Sequence, residues 1–112
     1  MAVLRFLEIR CIKHTEVGGD EPYLEVGLTK VGMLKVWSSE DMKSGQTADL
    51  SNLRPLAFQD KVYLSLHEKD SLSDDLFGEG TITTSDLNRG RVEMNFQESK
   101  AHYQLVYEIT NS

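Results

Sequence analysis

The chain has 112 residues, 39% apolar and 27% charged, with a net charge of −6 and one cysteine. That size and balance fit a single domain, residues 1–112, with one hydrophobic core, and exclude a disordered chain. The lack of a basic stripe excludes a nucleic-acid binder, and a lone thiol excludes an internal disulfide or a cysteine-built zinc cage.

The opening MAVLRFLEIR is interrupted by Arg5, Glu8 and Arg10 and lacks the basic-then-apolar layout of a signal peptide. No run approaches the roughly 18 apolar residues that span a bilayer, so a cytoplasmic protein is expected. Leu7, Ile9 and Cys11 then alternate with Glu8 and Arg10, which predicts a half-buried strand with Cys11 as a core thiol. After "VGGDEP", Leu24, Val26 and Leu28 alternate with polar or small residues, and Leu34 and Val36 follow. Trp37, with Met33 and Lys35 on its face, reads as a structural aromatic on a half-exposed strand or as a binding platform. The "SEDMKSG" stretch predicts one helical turn.

Val62, Leu64 and Leu66 alternate with Lys61, Tyr63, Ser65 and His67 to form the clearest strand. The segment "TSDLNRG" predicts a second helical turn, and Val92, Met94 and Phe96 lead to Tyr103, Leu105, Tyr107 and Ile109. About eight short strands separated by turn signals predict an all-β, antiparallel, eight-stranded sandwich. His14, His67 and His102 fall on three different runs without a nucleophile pattern beside them, so no enzyme is expected.

The negative charge is localised. Segments 16–21 and 68–75 together hold seven acids and one base, while the other 98 residues balance eleven against eleven. Strand counting brings both loops, with Glu40 and Asp41, to one end of a sandwich. Two carboxylates about 4 Å apart repel by about 4 kcal/mol at an effective dielectric near 20. Such a cluster is either splayed in water, protonated, or gathered around a cation, and hard oxygens suit calcium better than zinc.

Two stretches carry a family resemblance. "GGDEPYLEV" (18–26) resembles the segment of C2 domains in which a loop carboxylate precedes Pro-Tyr and a strand. "LSLHEKDSLSDDLFGEGTI" (64–82) is similar to their strand, acidic loop and following glycine. The compact form looks like bacterial C2-like domains, with the first strand leading directly into the first calcium loop. The resemblance implies calcium as cofactor, held by Glu16, Asp20, Glu68, Asp70 and Asp75, with Asp41 a sixth contributor. Two of the five positions carry Glu where Asp is usual, which implies one effective site, with Asp74 and Glu21 facing water. It further implies calcium-dependent docking onto anionic phospholipid or a protein partner, with Met42 and Leu72 as apolar loop tips at a membrane. The alternative is a calcium-independent sandwich that binds a protein partner or serves a structural role.

Overall fold

A computed structural model describes residues 1–112. Nine strands run in chain order: β1 (Ala2–Lys13), β2 (Pro22–Gly27), β3 (Leu34–Ser38), β4 (Thr47–Asp49), β5 (Leu56–Phe58), β6 (Lys61–Glu68), β7 (Asp75–Thr83), β8 (Val92–Phe96) and β9 (His102–Asn111). One sheet has the order β4-β1-β9-β8, with β5 also on β1, and the other has the order β3-β2-β6-β7. All strand pairs are antiparallel. β4 and β5 lie end to end along β1, opposite Glu8–Arg10 and Ala2–Leu4 respectively. Counted as one interrupted edge strand, they restore the expected eight.

The inward phase of each strand fills the space between the sheets. Leu4, Ile9, Leu24, Leu64, Leu66, Phe77, Phe96, Tyr103 and Leu105 are almost wholly buried. Each such side chain stabilises the fold by about 1.5–3 kcal/mol relative to exposure. Phe77 stacks on Tyr103 with ring centroids 5.3 Å apart, joining the two sheets. Cys11 is buried at 1% exposure, and that burial pushes its thiol pKa up.

Four bulges displace the simple alternation, one of them at Ile12 near the end of β1. Pairing passes from Phe6 to Glu8 on β1, so Leu7 is an extra residue, and Leu4 and Phe6 face inward before it. On β3 the extra residue is Val36, which turns Trp37 toward Leu24 and the core while Lys35 stands opposite Glu25. Trp37 is therefore a core-packing aromatic, and Lys35 lies over the outer ring of Tyr23 at 4.4 Å. On β7 the extra residue is Phe77. A bulge adds a residue to one strand only, so everything beyond it changes phase.

The segment 40–46 forms a turn without helix, whereas Thr84–Asp86 is a 3-10 turn capped by the Thr83 hydroxyl. β2 ends at Gly27, so Leu28, expected to continue that strand, is 54% exposed in the β2–β3 connection. Loops 14–21, 39–46 and 69–74 gather at one end of the sandwich. Asp20 and Met42 exchange two backbone hydrogen bonds of 2.8 Å, and the Lys69 N–H donates to the Glu21 carbonyl at 3.0 Å.

Candidate functional site

The acidic end is built by continuing two inward phases one step too far for apolar residues. Val62, Leu64 and Leu66 face the core, and the next position in that phase is Glu68, 1% exposed. Asp20 stands in phase with Pro22, Leu24 and Val26 and is fully buried. A buried carboxylate must be saturated with hydrogen bonds or hold a proton, because desolvation penalises the charge. The two acids adopt different solutions.

Asp20 is saturated. Its two oxygens accept from the Thr15 N–H at 3.0 and 3.1 Å, the Thr15 hydroxyl at 2.9 Å, the Glu16 N–H at 3.0 Å and the Tyr103 hydroxyl at 2.7 Å. This closes the first loop on itself and ties it to β9. Gly19 permits the closure: its φ is +109°, and a Cβ there would lie 2.6 Å from the Asp41 carbonyl carbon. Tyr103 in turn has its pKa raised, first by burial and then by hydrogen bonds to Cys11 and Asp20.

Glu68 is not saturated. One oxygen accepts from the Glu21 N–H at 2.6 Å, and the other, Oε1, is buried without a partner. Burial pushes its pKa up to about 8; the Glu21 N–H opposes the shift, and the nearby Glu16 and Asp20 carboxylates reinforce it. Its surroundings thus favour the neutral acid over the carboxylate.

The other expected ligands lie at the surface. Glu16, Asp41, Asp70 and Asp75 are exposed, with Asp75 opposite Glu68 in the β6–β7 ladder. Asp70 caps its own loop by accepting from the Leu72 N–H at 3.4 Å and the Ser71 hydroxyl at 3.3 Å. Asp74, expected to face water, accepts from the Asp70 N–H at 3.1 Å and from the Tyr23 hydroxyl, which lowers its pKa. Met42 is not a loop tip: its bridge to Asp20 draws it into the core, at 3% exposure. Leu72 does protrude, at 95% exposure.

Nowhere do three His, Cys, Asp or Glu side chains meet in an arrangement that could hold a metal ion. Calcium requires about six to eight oxygen ligands. Four donors already occupy the Asp20 oxygens, and Glu16, Asp41, Asp70 and Asp75 lie at the surface, so the expected acids do not form such a cage as arranged. The loops share an end as the strand count predicts, but their carboxylates do not converge on one point.

A second polar cluster, on the outer face of β2 and β6, went unnoticed in the sequence. The Tyr23 and His67 rings stack at 5.0 Å, and His67 Nε2 meets Ser65 Oγ at 2.9 Å and Glu25 Oε1 at 3.2 Å. Alternation places these residues on one face, and cross-strand pairing of Tyr23 with His67 makes the stack. Ser, His and Glu do not form a hydrolytic relay here. Serine and carboxylate share one ring nitrogen, whereas a relay places them on opposite nitrogens.

The two-sheet topology and the loop end match solved structures. The C2A domain of plant Extended Synaptotagmin 1 superposes with a TM-score of 0.66 at 9% identity, covering 97% of this chain and 91% of that one. A structure described as a C2 domain gives 0.62 at 16% identity, over 98% and 97% of the two chains. The fold is that of a C2 domain. Human GIVD cytosolic phospholipase A2 also matches, at a TM-score of 0.60 and 15% identity, but this C2-like chain covers only 17% of it. That likeness is to the C2 domain of the phospholipase alone. Calcium-bound Extended Synaptotagmin 2, with its C2A and C2B domains, matches at 0.66 and 11% identity over 96% of this chain and 44% of that one. No family model matches the chain, and no characterised protein sequence does.

Proposed function

We propose that this chain is a non-enzymatic C2-like interaction module whose loop end is closed by hydrogen bonds rather than by calcium. The supporting observation is the state of Asp20, the acid before Pro-Tyr. Four donors already surround its two oxygens. Those donors do the joining that a cation would otherwise do, since they close loop 14–21 on itself and bind it to β9, while the Asp20 backbone holds it against the turn at Met42.

Calcium titration of chelator-treated protein tests this reading, by calorimetry and by melting temperature. The expected result is neither heat nor shift at millimolar calcium. A site occupied at 100 times its dissociation constant would stabilise the fold by about 2.7 kcal/mol. For a domain of this size that is a rise on the order of 10 °C, and such a rise would overturn the reading.

A second reading is favoured by one atom, the unpartnered Glu68 Oε1. Calcium would replace the Glu68 proton, drawing on exposed Glu16, Asp70, Asp75 and Asp41. The acidic end would then change sign and admit anionic phospholipid, with Leu72 as the apolar tip. Its signature is proton release on calcium addition in weakly buffered solution, with calcium-dependent sedimentation on anionic vesicles. Both signals would disappear in Glu68→Gln.

A further inference from the structure

The chain is electrostatically divided. Residues 26–39 contain no acid, their two lysines lying over Tyr63 and Tyr23 on the outer face, and residues 50–59 contain no acid and Arg54, in a protein whose net charge is −6. These two stretches form the opposite walls of a groove between the sheets, on the side where β3 and β5 are edge strands. Its volume is about 400 Å³, and Phe6, Val26, Leu34, Val36 and Leu56 line it. Leu34 is 71% exposed and Val36 37% exposed, although core-side residues of a closed sandwich are normally covered. Leu28, also in the lining, is 54% exposed. Arg54 is exposed at the rim, forms no ion pair, and is the only ionisable residue in the lining.

We propose that this groove docks a short acidic–apolar segment of a protein partner. Apolar side chains of the segment would cover Leu34, Val36 and Leu56, and a carboxylate would meet Arg54. The inference rests on the reading of the chain as an interaction module and names the surface that does the work. Charge decides the sign of the partner, because an acid-free trough with the unpaired Arg54 at its rim selects a carboxylate over a basic group. Shape decides its class. The apolar groups line a trough between two strand edges, which suits a chain laid into it better than a flat lipid surface. The bulge at Val36 interrupts the free edge of β3, so side chains in the groove hold the segment rather than a long backbone ladder.

The test pans a random 12-residue displayed peptide library on the full chain, then titrates a synthetic peptide of the enriched sequence into isotopically labelled protein. Enrichment of sequences combining apolar residues with Asp or Glu is expected, with amide shifts centred on Val26, Leu34, Val36 and Leu56. Two variants at exposed positions, Arg54→Glu and Leu34→Asp, should each weaken binding at least tenfold while melting as the wild type does. The proposal fails if no acidic–apolar sequence is enriched, if the shifts map elsewhere, or if both variants bind unchanged. It also fails if no peptide binds but the chain sediments on phosphatidylserine vesicles and Leu34→Asp abolishes that, since the groove would then be a lipid surface. Calcium binding, measured on the same samples, bears on the loop end alone and leaves this result independent.

Discussion

Glu68→Gln separates a protonated carboxyl from an ionised one, because glutamine has the shape of the protonated acid and never titrates. In the folded chain Glu68 has its pKa raised from 4.5 to about 8. An acid whose folded pKa is raised contributes its full stability below the unfolded pKa and loses it as pH rises through the folded pKa. Between those limits the folded state holds a proton that the unfolded state has released, so wild-type stability falls by about 1.4 kcal/mol per pH unit from this group. Glutamine removes that slope. The variant should match the wild type near pH 4.5 and exceed it by roughly 3 kcal/mol at pH 7, an upper figure since the amide must also fit beside Glu16. Denaturant melts of both proteins at half-unit steps from pH 4.5 to 9 measure the difference, in which all other titrating groups cancel. A variant less stable than wild type at pH 7, or a difference flat with pH, would show that Glu68 is ionised in the fold and refute the proton assignment.

Asp20→Asn should cost about 3 kcal/mol or more, because an amide nitrogen would face N–H and O–H donors in a buried site; thermal melts of the variant check this. Gly19→Ala strains a φ of +109° and drives a Cβ into the Asp41 backbone, which cannot yield. A loss of about 2 kcal/mol is expected, with amide protection falling in loops 14–21 and 39–46 under hydrogen exchange. Gly78→Ala and Gly80→Ala make an informative pair. At Gly78 the new methyl lies 2.8 Å from the Phe96 Cβ and 3.0 Å from its Cα, whereas at Gly80 it meets only the flexible end of Met94. Denaturant unfolding should give a cost of about 1–3 kcal/mol for the first and clearly less for the second.

Most of the sandwich was legible because period two survives on a strand that carries no extra residue of its own. β6 and β9 are of this kind: Val62, Leu64 and Leu66, then Tyr103, Leu105 and Ile109, are buried as alternation predicts. Leu7, Val36 and Phe77 are where it fails, since an extra residue depends on which partner strand skips it. The shared end of the three loops follows from counting reversals. What happens at that end does not, because Tyr103 lies 83 residues from the carboxylate it satisfies. The burial of Glu68 was nevertheless readable: continuing the phase of 62, 64 and 66 by one step puts residue 68 inside. Chemical type pointed the other way, toward an exposed ligand, and the backbone period prevailed.

The same phase argument changes what the charge count means. Seven acids in segments 16–21 and 68–75 suggest an end held open by repulsion or closed by a cation. The fold distributes them otherwise. Asp20 is surrounded by donors, Asp70 and Asp74 cap the third loop, and burial disfavours the charged form of Glu68. A net charge of −6 counts Glu68 as ionised; burial beside Glu16 and Asp20 disfavours that charge at the most crowded point. An end whose first acid is saturated by donors and whose second is driven toward its neutral form has less need of a cation than the charge count suggests. Converting Glu68 back to an anion is the step that would make a cation necessary, which is why pH and calcium should act on this end as competitors if calcium acts on it at all.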